Sequence, residues 1–495
     1  MITRVDGAVK IFPAPPYITD YLRYTHRGFE VQGYRKVNKF EQKFLYRLAE
    51  DGGVITFQGF YEKIVKLVHK HGDALQVADL RTALPQINLQ AIKDINWAAI
   101  GTEGLRDYQF DPVLEFLAKA QQNSGIVNAT GGWGKTIFQA VTYAAFNKMN
   151  TILAIPIKQV FNQTYEKFVE LFPDKQIGKI GDGVRELSPD ITITTFNSLN
   201  SCAIEKCELL LVDEIQSVTG PKTLTNFMSI KPVRSFGFTA TDQNFFNNAD
   251  KVVKGMFGER LVYIPYEEAE EAKAVVPGLV YFVETSDQIM IGATTIEGKI
   301  SQGIKTCEER HRLIGKVCET VPAGWQTLIF VDHVADHLIR LHPHLPHGTK
   351  FVHRQSDKRS LGAYALTKKQ QNVTIADFCA NKFQFLVATD AFRAGVDIPN
   401  CRVVIQAAGG TSEVEILQEA FRGSRILPAS RRDELGVDDK THFVLIDFMD
   451  THEQTLQNMS LKRMEIYKKQ GWKVRTVKSA RDIKWHDYRQ VSKLL

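Results

Sequence analysis

The stretch that most constrains the fold of this chain runs from Asn128 to Thr136 and reads Asn-Ala-Thr-Gly-Gly-Trp-Gly-Lys-Thr. A short apolar segment precedes it and a helix-forming segment follows, so we predict a strand, a glycine-rich turn and a helix. Gly131, Gly132 and Gly134 would let backbone amides crowd around an anion, and the start of the helix would add the positive end of its dipole. The stretch therefore predicts a phosphate-binding loop.

The two residues that close this stretch fit the same chemistry. Lys135 would reach the β- and γ-phosphates of a nucleotide, and the Thr136 hydroxyl would hold Mg²⁺. Ala129 stands where the strict pattern has its first glycine, and a match this loose occurs by chance in about one chain in twenty-five of this length at average residue usage. An ordinary strand-to-helix turn is the alternative, so the rest of the chain has to decide.

Length and composition set the class of protein. The chain has 495 residues, of which 44% are hydrophobic and 24% charged, so we expect a soluble globular protein of about three domains. We find no apolar run long enough for a membrane span and no signal peptide, and we expect a cytoplasmic location, in the host cytoplasm if a phage encodes the protein. The six cysteines form no C-x-x-C pair, which favours reduced thiols over a zinc site or disulfides.

Positive charge is concentrated at the two ends of the chain. Residues 1–100 hold 14 Lys and Arg against 10 Asp and Glu, and residues 451–495 hold 11 against 4, whereas the middle holds 37 against 42. Basic ends around an acidic centre suit a polyanionic partner. The alternative is that the basic ends only aid solubility.

The first 95 residues read as a small α+β unit. Short strand patterns surround residues 9–12 and 54–57, and the apolar spacing of residues 60–71 is helical. Six basic residues alternate with four aromatic ones, a combination that can hold a nucleic-acid backbone and stack on bases. The members are Arg23, Arg27, Arg35, Lys36, Lys39 and Lys43 with Tyr21, Tyr24, Tyr34 and Phe40. A solvated surface with tyrosines in a core explains them equally well.

From about residue 100 the pattern alternates between apolar strands and helices, first to about 262 and again from about 305 to 450. Near-continuous apolar strands separated by helices indicate parallel sheets covered on both faces, with ligands at the carboxyl ends of the strands. We expect a junction over residues 262–305 and a helical, then extended, basic segment after residue 450. The predicted class is α/β with two such sheets.

Two further clusters carry chemistry. Asp213 and Glu214 end an apolar strand, where one carboxylate would hold Mg²⁺ through water and the other would deprotonate the attacking water. We assign Asp213 to the metal and Glu214 to the water. Residues 418–425 read as a helix that would place Arg422 and Arg425 on one face, where they could neutralise charge on a transferred phosphoryl group. A pair of surface arginines is the alternative.

Taken in order, these clusters resemble the motif set of the superfamily-two helicases over about residues 100–450. Seven motifs in the same order are far more specific than any one of them. The motifs are Leu105–Gln109, Ala129–Thr136, Pro156, Asp213–Gln216 (Asp-Glu-Ile-Gln), Thr239–Thr241, Ala388–Pro399 and Gln418–Arg425. The resemblance implies two tandem RecA-like domains that share ATP and Mg²⁺. It also argues against the non-functional alternatives given above, such as an ordinary strand-to-helix turn or a pair of surface arginines.

The resemblance also assigns roles by position. The nucleotide and metal roles given above are unchanged for six residues: Lys135, Thr136, Asp213, Glu214, Arg422 and Arg425. The family further implies adenine recognition by Gln109, a link from the nucleotide to the second domain by Gln216, and coupling of hydrolysis to movement by Thr239 and Thr241. Contact with the nucleotide from the second domain falls to Gly395 and Asp397. Contact with the nucleic-acid backbone falls to Pro156, Thr195, Ser198 and Thr389.

Three residues depart from the family pattern. Phe421 stands where the family's arginine-finger motif, which here contains Arg422 and Arg425, has glycine. Gly131 replaces a usual threonine, and Arg393 occupies a position that usually holds a small residue. The first of these puts the geometry of the finger arginines in question.

The order of elements and the local pattern near residues 33–36 and 59–71 look like the phage UvsW-type helicases. We accordingly expect a nucleic-acid-binding accessory domain over 1–95, a first RecA-like domain over 96–265, a junction and second RecA-like domain over 266–450, and a short basic helical tail over 451–495. That resemblance implies a monomer that uses ATP to migrate, remodel, unwind or anneal branched or forked DNA, largely independently of sequence, and that also binds single-stranded DNA.

Three rival interpretations remain at this point. Phosphate tracking is common to DNA and RNA, so an RNA helicase or translocase fits the motor equally well. A motor subunit of a restriction or defence assembly is the second rival, although no nuclease cluster stands out. The third is a nucleotide-binding module without turnover, which would require Phe421 to have disabled the arginine fingers.

Overall fold

The computed structural model describes the chain apart from residues 33–34, 84, 148, 200–206, 242–248, 286–292, 354, 357, 390–397 and 487–495. The chain divides into two compact units. The first consists of Met1–Ala129 and Gly134–Ile264, and the second of Thr130–Trp133 and Pro265–Leu495.

The first unit opens with a small mixed domain. Its elements are β1 (Ile2–Val5), β2 (Ala8–Ile11), α1 (Pro16–Tyr21), β3 (Arg23–Gln32), β4 (Arg35–Phe44), β5 (Tyr46–Leu48), β6 (Val54–Phe57), α2 (Tyr61–His71) and β7 (Val77–Asp79). Five strands form a sheet in the order β5-β6-β2-β1-β7, and α2 buries Ile64 and Val68 in the same core. The strands β3 and β4 form a separate antiparallel hairpin.

The rest of the first unit is a larger α/β sheet. Its elements are α3 (Asp107–Ala120), β8 (Gly125–Ala129), α4 (Lys135–Ala145), β9 (Thr151–Ile155), α5 (Lys158–Leu171), β10 (Ile177–Gly181), β11 (Val184–Glu186), β12 (Ile191–Thr195), β13 (Leu209–Val212), α6 (Pro221–Met228), β14 (Arg234–Thr239), α7 (Ala249–Phe257) and β15 (Arg260–Ile264). The strand order is β11-β10-β12-β9-β13-β14-β8-β15, parallel except at the edge strand β11. Because β13, β14 and β8 are neighbours, their carboxyl ends meet at one edge of the sheet.

The second unit holds a seven-stranded sheet. Its elements are α8 (Tyr266–Glu271), β16 (Gly278–Glu284), α9 (Ile296–Ile300), α10 (Glu308–Thr320), β17 (Gln326–Phe330), α11 (Ile339–Leu341), β18 (Lys350–Val352), α12 (Lys358–Leu361), α13 (Lys368–Cys379), β19 (Phe385–Ala388), β20 (Cys401–Gln406), α14 (Glu413–Ala420), α15 (Ala429–Leu435), β21 (Phe443–Met449), α16 (Gln454–Lys469) and β22 (Lys473–Val477). The order is β18-β19-β17-β20-β21-β16-β22, and all pairs are parallel. The predicted α/β class with two parallel sheets is confirmed.

Two expectations about elements were wrong. The apolar spacing of the sequence predicts a helix over Pro112–Gln121, whereas α3 begins at Asp107 and contains Pro112. The helix starts early because the Gln109 side chain caps it: the backbone N–H of Arg106 donates to Gln109 Oε1 at 3.2 Å. The expected junction over 262–305 contains β16, a strand inside the second sheet.

The C-terminal segment was expected to be helical and then extended, and the structure confirms both parts. After α16 the chain forms β22, which pairs in parallel with β16 at the edge of the second sheet. The segment therefore belongs to the core architecture of the second unit. None of the helices in the described part of the chain has both the length and the apolar character needed to cross a bilayer.

A buried ionic network holds α16 against that sheet. Arg463 of α16 donates from Nε and Nη2 to the Asp447 carboxylate of β21, with the closest oxygen at 2.9 Å, and Arg310 of α10 bonds Asp450 at 2.9 Å. All four side chains are fully excluded from solvent. Tyr467 also donates its hydroxyl to Asp447. A buried pair such as this fixes geometry, because either charge would be costly without its partner.

Candidate nucleotide-hydrolysis site

The phosphate-binding loop predicted from the sequence lies between β8 and α4. Gly132 and Gly134 have φ angles of +92° and +110°, a region that favours glycine. A Cβ at Gly134 would also lie 2.8 Å from Gln109 Nε2, so a larger residue there would displace the end of the Gln109 side chain. Helix α4 begins at Lys135, and its first-turn N–H groups form the anion-binding end described for such loops. The residues present therefore fit a nucleotide phosphate.

The carboxylate pair follows β13, two strands away from β8 in the sheet. Lys135 Nζ lies 3.0 Å from Glu214 Oε1, and the side chains of the two residues are 14% and 19% exposed. Glu214 has a φ of +47°, which is unusual for a residue with a Cβ and is typical of strained functional positions. The structure thus brings the predicted phosphate-binding lysine and the predicted catalytic carboxylate into direct contact.

Asp213 is the more deeply buried member of the pair. Burial, together with the negative charge of Glu214, raises the pKa of its carboxyl to about 6. Its Oδ1 atom is buried and bonds no protein atom among the described residues. A buried carboxylate oxygen of this kind fits a Mg²⁺ ion or its water, whose positive charge would offset the burial.

Hydrogen bonds extend from Glu214 to the next strand. Gln216 Nε2 donates to Glu214 Oε2 at 2.6 Å, and Thr239 Oγ1 donates to Gln216 Oε1 at 3.0 Å. The Thr241 backbone N–H in turn donates to Thr239 Oγ1 at 3.2 Å. The two threonines that the resemblance assigns to coupling are thus connected to the carboxylate through one glutamine.

Asn128, which has no role in the motifs predicted above, closes this chain of contacts. Its side-chain Nδ2 donates to the Thr241 carbonyl at 3.2 Å, and its side chain is buried. Since Asn128 immediately precedes Ala129 and the glycine-rich loop, the contacts run from the loop through Glu214 and back to the strand that carries the loop. A polar residue inside an otherwise apolar strand was the only signal in the sequence.

The residues predicted to touch nucleic acid fall at the carboxyl ends of strands in both units. In the first unit, Pro156 directly follows β9, and Thr195 ends the neighbouring strand β12 and donates its hydroxyl to Ser198 Oγ at 2.8 Å. In the second unit, Thr389 follows β19 but is only 3% exposed, so it offers no free surface in this conformation. Gly395, Asp397 and Arg393 lie outside the described residues.

The expected helix over residues 418–425 was wrong. Helix α14 ends at Ala420, and Arg422 and Arg425 lie in the turns beyond it. Beyond the helix, the chain at Gly423 passes so close to the Phe443 ring that a Cβ there would clash with it. Arg422 is 7% exposed, and the backbone of Arg425 pairs with Val275 in an isolated antiparallel bridge. The two arginines therefore do not share a helix face, although neither is fully exposed.

The unusual Phe421 is part of an aromatic cluster in the second unit. Its ring stacks on Tyr266 at 6.0 Å and meets Trp472, just before β22, edge-on at 5.8 Å. In the same unit, a Cβ at Gly131 would lie 2.7 Å from the Phe421 side chain. The two departures from the family pattern are therefore complementary, since glycine at 131 leaves the space that phenylalanine at 421 fills.

This complementarity predicts the effect of restoring the threonine of the family pattern. Gly131→Thr should lower kcat/KM for ATP by about tenfold or more, because overpacking costs about 1–3 kcal/mol. Steady-state phosphate release measures the effect. Adding Phe421→Gly to Gly131→Thr should recover much of the loss, and thermal unfolding of the Phe421→Gly variant reports the separate cost of the aromatic cluster. A double variant no better than Gly131→Thr would contradict the pairing.

A glycine-rich loop before a helix, with a lysine and two strand-end carboxylates at one sheet edge, defines the class of nucleotide-hydrolysing motor proteins. Two family profiles match the chain: "Type III restriction enzyme, res subunit" over residues 102–244 and "Helicase conserved C-terminal domain" over residues 310–426. Together they span just over half of the sequence, in the order of the two parallel sheets. The chain belongs to the superfamily-two helicases, a family of ATP-hydrolysing enzymes.

Several solved structures share the fold at low identity. Dbp5 of S. cerevisiae bound to RNA and ADP BeF3 has a TM-score of 0.53 at 15% identity over 81% of this chain and 95% of that chain. A fragment of a putative HsdR subunit of a type I restriction enzyme from Vibrio vulnificus has a TM-score of 0.52 at 14% identity over 92% of each chain. T4 UvsW matches 96% of this chain and 99% of its own at 16% identity, with a TM-score of 0.40. No curated protein sequence matches the chain.

Proposed function

We propose that this protein is an ATP-dependent DNA helicase or translocase that acts on branched or forked DNA. The observation that carries its motor activity is the continuous contact from Lys135 through Glu214 and Gln216 to Thr239, which links a phosphate-binding loop to a neighbouring strand end. Such a link would let a change in the contacts of Glu214 reach Thr239 and Thr241 at the end of β14, the two residues assigned to coupling.

The chemistry assigned to each group follows from its position. The loop amides and Lys135 would bind the phosphates, with Thr136 and Asp213 as ligands of Mg²⁺. Mg²⁺ would neutralise charge on the phosphate oxygens. Glu214 would leave its pairing with Lys135 and take the proton of the attacking water at a carboxylate oxygen. Arg422 and Arg425 would stabilise negative charge on the transferred group after a rearrangement of the turns that hold them.

The choice of branched DNA rests on the order of domains. A motor alone can track one strand, whereas an enzyme that remodels a junction has to hold a second segment of nucleic acid. Here a small domain precedes the motor and belongs to the same compact unit as the first large sheet. The local sequence pattern of that domain resembles the UvsW-type helicases, whose activity the proposal adopts.

A panel of substrates tests the proposal. We expect ATP hydrolysis by the wild-type protein to be stimulated most by forked and four-way DNA, less by single-stranded DNA and least by RNA. The protein should also unwind labelled four-way junctions. The variant Lys135→Ala is the control that should bind DNA but neither hydrolyse ATP nor unwind. Equal or greater stimulation by RNA would favour the alternative of an RNA helicase, and copurification of a nuclease would favour a motor subunit of a restriction assembly.

A further inference from the structure

The net positive charge of the first 100 residues is confined to the hairpin of β3 and β4. Residues 23–44 hold six Lys and Arg against two Glu, whereas the rest of residues 1–100 holds eight basic and eight acidic side chains. The whole positive excess of this part of the chain therefore lies on one hairpin. A polyanion would therefore be attracted more strongly to this hairpin than to the rest of the domain.

The two faces of the hairpin differ in composition. Side chains alternate along a strand, and the register pairs Arg23 with Phe44 and Thr25 with Gln42. Phe40 lies on the same face, which carries no acid among these positions. Phe40 is 66% exposed and Phe44, four residues further along the same strand, is 51% exposed, a large apolar exposure for two aromatic residues on one face. We call this surface of Arg23, Thr25, Phe40, Gln42 and Phe44 the aromatic face.

The opposite face is partly neutralised within itself. Glu41 lies between Lys39 and Lys43 at 3.1 Å and 2.6 Å, and hydrogen bonds from the two ammonium groups lower the pKa of Glu41 to about 2. On the aromatic face, the Arg23 guanidinium lies 5.8 Å from the centre of the Phe44 ring, and its exposed partner Asp20 lies outside the hairpin. A guanidinium over an exposed ring is suited to a phosphate beside a stacked base.

The root of the hairpin is firmly held. Leu22 and Leu45 are fully buried at its base, where the Leu45 backbone N–H donates to the Leu22 carbonyl at 2.9 Å. Lys251 of α7 donates to the carbonyls of Tyr21 and Arg23, and its ammonium lies 4.5 Å from the centre of the Tyr21 ring. The hairpin is thus fixed to the first large sheet through α7, so a strand held by it would be held relative to that sheet.

We propose that the aromatic face binds a single-stranded segment of nucleic acid, with bases stacked on Phe40 and Phe44 and phosphate held by Arg23. Stacking is independent of sequence because every base has a π-face. Phenylalanine side chains exposed on the same face as an arginine suit unpaired bases, whereas the stacked bases of a duplex do not expose their faces. This inference rests on the proposed function, since it assigns the second segment that a junction-acting motor has to hold.

Fluorescence anisotropy with labelled oligothymidylate and oligouridylate, measured with the full chain in the absence of ATP, tests the proposal. Phe40→Ala and Phe44→Ala should each weaken binding about tenfold, while Phe40→Tyr should retain it because the ring remains. Comparing the two oligonucleotides shows whether DNA or RNA is held. Basal ATP hydrolysis without nucleic acid should be unchanged in all variants, which excludes misfolding.

Two single variants, one on each face of the hairpin, separate binding by the aromatic face from general electrostatic attraction. Arg23→Ala and Lys43→Ala each remove one positive charge, but only Arg23 lies on the aromatic face. We expect a loss of about threefold or more for Arg23→Ala and less than about twofold for Lys43→Ala. Equal losses, or wild-type binding by Phe40→Ala and Phe44→Ala, would overturn the proposal. Wild-type ATP hydrolysis that nucleic acid does not stimulate would instead overturn the proposed function.

Discussion

Replacing Glu214 by glutamine should reduce nucleic-acid-stimulated ATP hydrolysis by about 100- to 10,000-fold, the range expected for loss of a general base. Binding of ATP should persist, because Lys135 and the glycine-rich loop are unchanged. Glutamine also removes the ion pair that holds Lys135 at 3.0 Å in the present structure. The measurements are phosphate release for turnover and equilibrium binding of a fluorescent ATP analogue.

Two further variants serve as controls for this experiment. Lys135→Ala should lose ATP binding together with turnover, so the comparison separates the phosphate contact from the proton transfer. Glu186→Gln removes an exposed carboxylate from the edge strand β11 of the same sheet and should leave the rate unchanged. Turnover by Glu214→Gln within tenfold of the wild-type rate would be incompatible with the role assigned to Glu214.

The second large effect is on stability. Asp447→Ala should destabilise the second unit by about 3–5 kcal/mol, because it leaves the fully buried Arg463 guanidinium without its principal counter-charge. For a unit of this size that corresponds to a fall of roughly 10 °C in its unfolding temperature. Differential scanning calorimetry measures it, and the transition of the first unit serves as an internal reference if the two transitions separate.

An exposed ion pair of similar length is the natural control. Lys382 and Asp377 are 2.7 Å apart but are 65% and 36% exposed, so Asp377→Ala should cost less than about 1 kcal/mol. Replacing both partners of the buried pair, Asp447→Leu with Arg463→Met, should restore much of the stability lost by Asp447→Ala. A cost for Asp447→Ala as small as that for Asp377→Ala would show that the pair does not hold α16 in place.

The parts of the site that the sequence predicted are those with a local pattern. The glycine-rich loop, Lys135 and the Asp213–Glu214 pair each lie within a few residues of a strand end, so strand and helix periodicity was sufficient to place them. Parallel strand order then explains why β8 and β13, about eighty residues apart, bring Lys135 and Glu214 together. The nucleotide and nucleic-acid roles of these residues remain predictions.

The parts that the sequence did not predict depend on partners far along the chain. Nothing near Phe421 shows that Tyr266 and Trp472 will surround it, and helical spacing alone extended α14 past its real end. Likewise, the sequence shows Arg463 only as one charge in a basic segment, whereas in the structure it is completely buried against Asp447. A single sequence carries periodicity but not the identity of distant neighbours, so only the folded structure reveals these contacts.

The position of β22 also bears on how the protein should be handled. As the last strand of its sheet, it satisfies the backbone groups along one side of β16, which would otherwise be an open template for pairing with another molecule. A version shortened before Lys473 would expose that template together with the apolar residues beneath it. We expect such a shortened version to self-associate. A C-terminal tag should therefore follow β22 and not replace it.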